Sequence, residues 1–134
     1  MIETTLGACI DAEPCLSRLA AQAWPVKTAY HLAKLTRLVR VEVAAFEEQR
    51  SVLVQKFGAA RPPTEAERAR GAADEVFEVG ADNLTAYLQQ FRELRSASAT
   101  IAWQPLTLTE LDDAGVSVMG TDLIGLGPFL DGEG

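Results

Sequence analysis

A chain of 134 residues with 48% hydrophobic and 23% charged side chains has the size and composition of one globular domain, 1–134, with its own core, rather than of a disordered chain. Its net charge of −7 argues against nucleic acid as a partner, because an acidic surface repels phosphates. No stretch nears the ~20 apolar residues of a membrane span, and the start, Met1-Ile2-Glu3-Thr4-Thr5, lacks the basic-then-apolar pattern of a signal peptide, so the sequence reads as a soluble intracellular protein.

The first predicted helix covers 12–23, with Asp11 as its N-cap, Pro14 in its first turn and Leu16, Leu19, Ala20 and Ala23 at helical spacing. Cys9 and Cys15, six residues apart with no second pair, are expected to remain reduced thiols. Trp24-Pro25 then makes a corner, since proline disfavours the helical conformation of its predecessor yet suits a first helical position.

A long helix over 26–57 is the dominant signal. Leu32, Leu35, Val39, Val43, Phe46, Leu53 and Phe57 fall within one stripe of the helix surface and mark the core side. On the other side Leu38, Val41, Ala45 and Val52 form a second apolar stripe among charges, a candidate contact between copies of the chain. Gly58 is the expected stop and Lys56 complements the helix dipole.

The segment 59–63 reads as a loop stiffened by Pro62-Pro63. Thr64-Glu65-Ala66-Glu67 has capping-box spacing and opens a charged helix that Gly71 weakens. Val76-Phe77-Glu78-Val79 reads as a short strand. Asp82 is the expected cap of a helix with Leu84, Tyr87, Leu88, Phe91 and Leu94 on one face. Strand-like alternation returns at Thr100-Ile101-Ala102-Trp103 and Leu106-Thr107-Leu108, broken by Pro105, and the first of these is expected to pair with 76–79. A final helix over 121–130 docks through Leu123, Leu126, Phe129 and Leu130. The fold class is therefore mainly α with a small β ribbon (α+β), a long central helix about 26–57 packed by shorter helices.

Charge is unevenly spread. Between residues 14 and 41 there are five cations, Arg18, Lys27, Lys34, Arg37 and Arg40, and no acid; after Ser96 there are six acids and no cation. Either the two oppositely charged ends meet, within one subunit or between neighbours, or they are two unrelated solvated faces.

No enzyme is expected. His31 is the sole histidine and has no carboxylate near it in sequence to orient it. Ser117, between Gly115 and Gly120, is one residue out of step with a nucleophile elbow. The glycine-rich 120–127 lacks the lysine of a phosphate loop, Asp112-Asp113 alone makes a poor calcium site, and no zinc spacing is present, so no metal or cofactor is predicted. One constellation remains as a candidate ligand site. Lys27, Thr28, Tyr30, His31, Lys34 and Arg37 offer cations, a hydroxyl and an aromatic face suited to an anionic small molecule of nucleotide type. The favoured reading of the same residues is a solvated cationic face meeting acidic groups of the C-terminal segment.

The stretch 24–58 also carries a pattern: Pro25, Lys27-Thr28-Ala29-Tyr30, Leu32-Ala33-Lys34-Leu35, Phe46-Glu47-Glu48, Arg50 and Lys56-Phe57-Gly58. In these residues, about a quarter of the chain, it resembles a family of small bacteriophage and prophage proteins grouped as a domain of unknown function. The later order of strand, helix, strand and terminal helix is similar as well. Trp24, where the family more often has leucine, and the Gly/Asp-rich C-terminus depart from it. The resemblance implies a phage setting, in host cytoplasm or virion, and no established chemistry. The expectation is a non-enzymatic bacteriophage accessory protein that acts by binding, as a homo-oligomer in virion assembly or interaction, with itself or other phage proteins as partners. The alternative is a phage counter-defence protein that sequesters an anionic host signalling molecule at the Lys27–Arg37 constellation.

Overall fold

The computed structural model describes residues 1–71, 76–113 and 118–131. In chain order the elements are β1 (Ile2–Thr5), α1 (Leu6–Ala20), α2 (Val26–Phe57), β2 (Gly58–Arg61), α3 (Glu65–Ala69), β3 (Val76–Val79), α4 (Ala81–Arg95), β4 (Ser98–Ile101), β5 (Leu106–Thr107), α5 (Leu108–Asp113), α6 (Gly120–Leu126), a 3₁₀ turn (Gly127–Phe129) and β6 (Leu130–Asp131). The fold is mainly helical with short two-stranded ribbons, and α2 spans the predicted 26–57. No helix among the described residues is long and apolar enough to cross a membrane.

The chain divides into two compact units, one made of Met1–Phe46 with Arg95–Gly134 and the other of Glu47–Leu94. The first unit holds the core. Leu16 and Leu19 of α1, Leu32, Leu35 and Val39 of α2, Ile101, Leu106, Leu126 and Phe129 are all fully buried. The α2 stripe expected on the core side is there buried at Leu32, Leu35, Val39 and Phe46 and half-buried at Val43, with Thr28 and Thr36 filling gaps between the leucines. Thr36 satisfies its buried hydroxyl by donating to the Leu32 carbonyl at 2.7 Å.

The start of α1 differs from the sequence expectation by six residues. Thr5, in extended conformation, caps the helix by accepting the Ala8 N–H at 3.2 Å, so Leu6 and Cys9 join the buried face, and Asp11 lies inside the helix instead of capping it. Pro14 is likewise interior, where it offers no N–H to the Ile10 carbonyl. At the other end the Trp24 indole N–H donates to the Leu19 carbonyl at 2.5 Å, which also accepts the Gln22 N–H at 3.0 Å. The Pro25 carbonyl then accepts the Ala29 N–H at 2.8 Å to open α2.

Strand pairing also departs from expectation. β4 pairs antiparallel with β1, Ile2 opposite Ile101 and Thr5 opposite Ser98, whereas β3 pairs antiparallel with β2. The expected partnership of 76–79 with 100–103 is thus replaced by two separate ribbons, and 58–61, read as loop, is strand. The final helix is shorter than 121–130: α6 gives way to the 3₁₀ turn and then to β6, parallel to β5. Close packing of α6 on α1 explains Gly125, where an added Cβ would lie 2.2 Å from the Cys15 sulfur.

In the second unit, Gly58 ends α2 for reasons of space, since a Cβ there would lie 2.4 Å from the Val54 carbonyl oxygen. The capping box of Thr64 and Glu67 is present in both directions, and Gly71 at φ +90 follows the short α3. Asp82 lies within the first turn of α4 and does not cap it; the Gly80 carbonyl there accepts the Asn83 N–H at 3.1 Å. Asn83 in turn donates to the Phe57 carbonyl at 3.1 Å, and Tyr87 meets Phe57 edge-on and stacks near Phe91.

Candidate functional site

At about 100° per residue, Lys27, Tyr30, Lys34 and Arg37 share the α2 face centred on Val41, while Thr28 points the opposite way. The candidate constellation is therefore split. Thr28 is buried in the core, whereas Lys27, Tyr30 and Arg37 are exposed.

The remaining members gather around Trp103, which lies between β4 and β5. The Tyr30 ring meets the Trp103 ring edge-on with centroids 6.0 Å apart, the His31 ring lies at 6.4 Å, and the Lys34 ammonium sits 5.2 Å from the indole centroid. His31 is held at both nitrogens. Nε2 lies 2.7 Å from the Gln104 carbonyl oxygen and Nδ1 lies 3.1 Å from a Glu110 carboxylate oxygen. A carbonyl only accepts, so Nε2 is the donor in that contact. Glu110 is itself fixed at the start of α5, where its carboxylate accepts the Thr107 N–H and the Thr107 hydroxyl accepts the Glu110 N–H. Thr107-x-x-Glu110 is a capping box plain in the sequence. It marks both α5, which sequence reading missed, and the carboxylate that meets His31.

The basic and acidic ends of the chain meet within the first unit. Arg18 pairs with Asp122 at 2.5 Å, where the carboxylate is almost fully buried, and His31 with Glu110. Asp122 Oδ1 has no hydrogen bond of good geometry, so this contact is a close ion pair, while Oδ2 accepts the Met119 N–H. Arg40 turns to Glu13 and Ser17 of α1. Lys27 and Arg37 form no ion pair among the described residues.

The second apolar stripe lies open for most of its length. Val41 is 62% and Val52 54% exposed, Ala45 is exposed and Leu38 half-buried. Beside it a groove of about 540 Å³ runs between Ala20 of α1 and Ala33, Arg37, Val41 and Ala44 of α2. A second concavity, of about 420 Å³, is lined by Met1, Ala102, Trp103 and Gln104.

Among the described residues, neither hollow has a cysteine, histidine or carboxylate in its lining. Both cysteines are free and buried, and burial, with Glu42 nearby, pushes the Cys9 thiol up to about 11, which makes it a poor nucleophile at neutral pH. No cluster of three metal-ligating side chains occurs among the described residues. Gly120 begins a helix, so the glycine-rich segment is not a phosphate-cradling loop; Asp112 and Asp113 fall in the last turn of α5, not in an open turn. Ser117 lies outside the described residues. Compared with known proteins, the chain matches no family model, no curated protein and no solved structure.

Proposed function

We propose that this chain is a non-catalytic binding protein that self-associates through the outer face of α2 and serves a bacteriophage or prophage as an accessory in virion assembly, in the host cytoplasm or the virion. One observation carries the reading: a long helix whose inner side is core presents on its outer side exposed Val41, Ala44, Ala45 and Val52, set among charges. Apolar strips of that kind mark contacts, because leaving them in water forgoes about 25 cal/mol for each Å². The phage setting rests on the resemblance of 24–58, and other phage proteins are the expected further partners.

Sequestration of an anionic nucleotide by Lys27, Thr28, Tyr30, His31, Lys34 and Arg37 is the weaker reading. Thr28 faces the core, and the Glu110 carboxylate beside His31 would repel a phosphate. The test is the mass of the full chain by native mass spectrometry and sedimentation at micromolar concentration. The wild type should run as a multiple of the chain mass, and the double variant Leu38→Asp/Val41→Asp as a folded monomer by circular dichroism. A monomeric wild type would overturn the reading. A retained nucleotide, released chemically unchanged on denaturation, would favour the alternative.

A further inference from the structure

We infer that the partner on the outer face of α2 is a second copy of this chain laid antiparallel, with the two helices crossing near Val41. The inference rests on the self-association reading and adds the direction, the register and the residues that set them. Within about 60° of Val41 on the helix surface the order is Lys27, Tyr30, Lys34, Arg37 and Leu38, then Val41, Ala44 and Ala45, then Glu48, Val52, Gln55 and Lys56. The face thus carries three cations before its apolar centre and the carboxylate of Glu48 one turn after it, with Lys56 at its far end. Lys27, Arg37, Ala44, Ala45 and Glu48 are all exposed, and Arg37 has no ion pair among the described residues.

Such a strip is complementary to itself only when reversed. Lys34 and Glu48 stand seven residues on either side of Val41, about 10 Å along the axis at 1.5 Å per residue. A two-fold rotation about Val41 brings each Glu48 within reach of Lys34 and Arg37 of the other copy, and Tyr30 opposite Val52. A parallel arrangement instead sets Lys34 and Arg37 against their own copies, a like-charge contact that opposes docking. Ala44 and Ala45, with Ala33 beside them, keep the centre low enough for two helix axes to approach to about 8 Å. The isologous form also explains why one strip carries both signs: in a two-fold contact the same patch serves both partners.

Cysteine cross-linking on the full chain tests direction and register, with mass measured in parallel. Val41→Cys should yield a disulfide-linked dimer under mild oxidation. Tyr30→Cys alone should yield none, and a mixture of Tyr30→Cys with Val52→Cys should yield the heterologous link. The buried Cys9 and Cys15 of the wild type give the background. Glu48→Lys should weaken association roughly tenfold or more, and adding Arg37→Glu to it should restore the loss, since the swapped charges meet again across the two-fold. Self-linking of Tyr30→Cys, or a dimer that Glu48→Lys leaves unchanged, would overturn the antiparallel arrangement while leaving self-association intact. A wild type that is monomeric by mass would instead remove the reading on which the inference rests.

Discussion

The two units are built from similar amphipathic helices and end in different states. In the first, α1 and the front of α2 bury their leucines completely. In the second, α4 has an equally regular apolar face, yet none of its residues is buried, and Leu84 and Leu88 remain 43% and 38% exposed. The fully buried Leu16, Leu19, Leu32, Leu35, Val39, Ile101, Leu106, Leu126 and Phe129 all belong to Met1–Phe46 or Arg95–Gly134. An amphipathic pattern therefore reports what a helix can bury and not whether its own chain supplies the cover.

The sharpest way to break this contrast is to truncate one leucine in each unit. Leu35→Ala, at a fully buried site, should cost about 2–5 kcal/mol in urea unfolding, whereas Leu84→Ala should cost about 0.5 kcal/mol. Similar losses at the two sites would show that α4 is covered as well as α2. Next in size, Gly125→Ala should cost about 1–3 kcal/mol by forcing a methyl against the Cys15 sulfur, and Cys15→Ala in the same chain should recover part of that loss, which identifies α1–α6 packing as its source.

A pH titration separates the units by chemistry. The Cys9 thiol, raised from 9.0 to about 11, keeps its proton more tightly folded than unfolded. Its contribution is therefore complete below pH 9 and is lost as pH rises toward 11. Cys9→Ala should flatten that part of the stability curve, and an unchanged slope would assign it to other groups. The smallest expected global effect is at Thr64→Ala, which removes a capping worth about 1 kcal/mol to α3. Since α3 has no buried residue, helix fraying should increase with almost no change in the unfolding midpoint of the first unit.

What could be read in the sequence follows from how local each signal is. α2 repeats its apolar spacing over many turns, so its bounds and its buried stripe were both visible. The start of α1 was not, because Thr5 and Asp11 are both competent caps and the choice is made by burial of Leu6 and Cys9 against distant parts of the chain. β1 is four residues of mixed polarity whose partner lies at 98–101, a pairing no local pattern encodes. The site shows the same division. The apolar stripe at Leu38, Val41, Ala45 and Val52 came from periodicity alone. Thr28's turn toward the core follows from the same spacing, whereas the gathering of His31 and Lys34 depends on Trp103 and Glu110, more than 65 residues away in the chain.

The measurement closest to the central claim is hydrogen–deuterium exchange on the full chain, read peptide by peptide in a dilute and a concentrated sample whose masses are known. α1, β1 and β4 should show the protection of the global fold in both samples, and α4 should exchange faster than α1 in the dilute one. Peptides covering 37–52 of α2 should gain protection only where the mass reports self-association. Equal protection of α1 and α4, together with no change along α2 between monomeric and associated samples, would contradict the account.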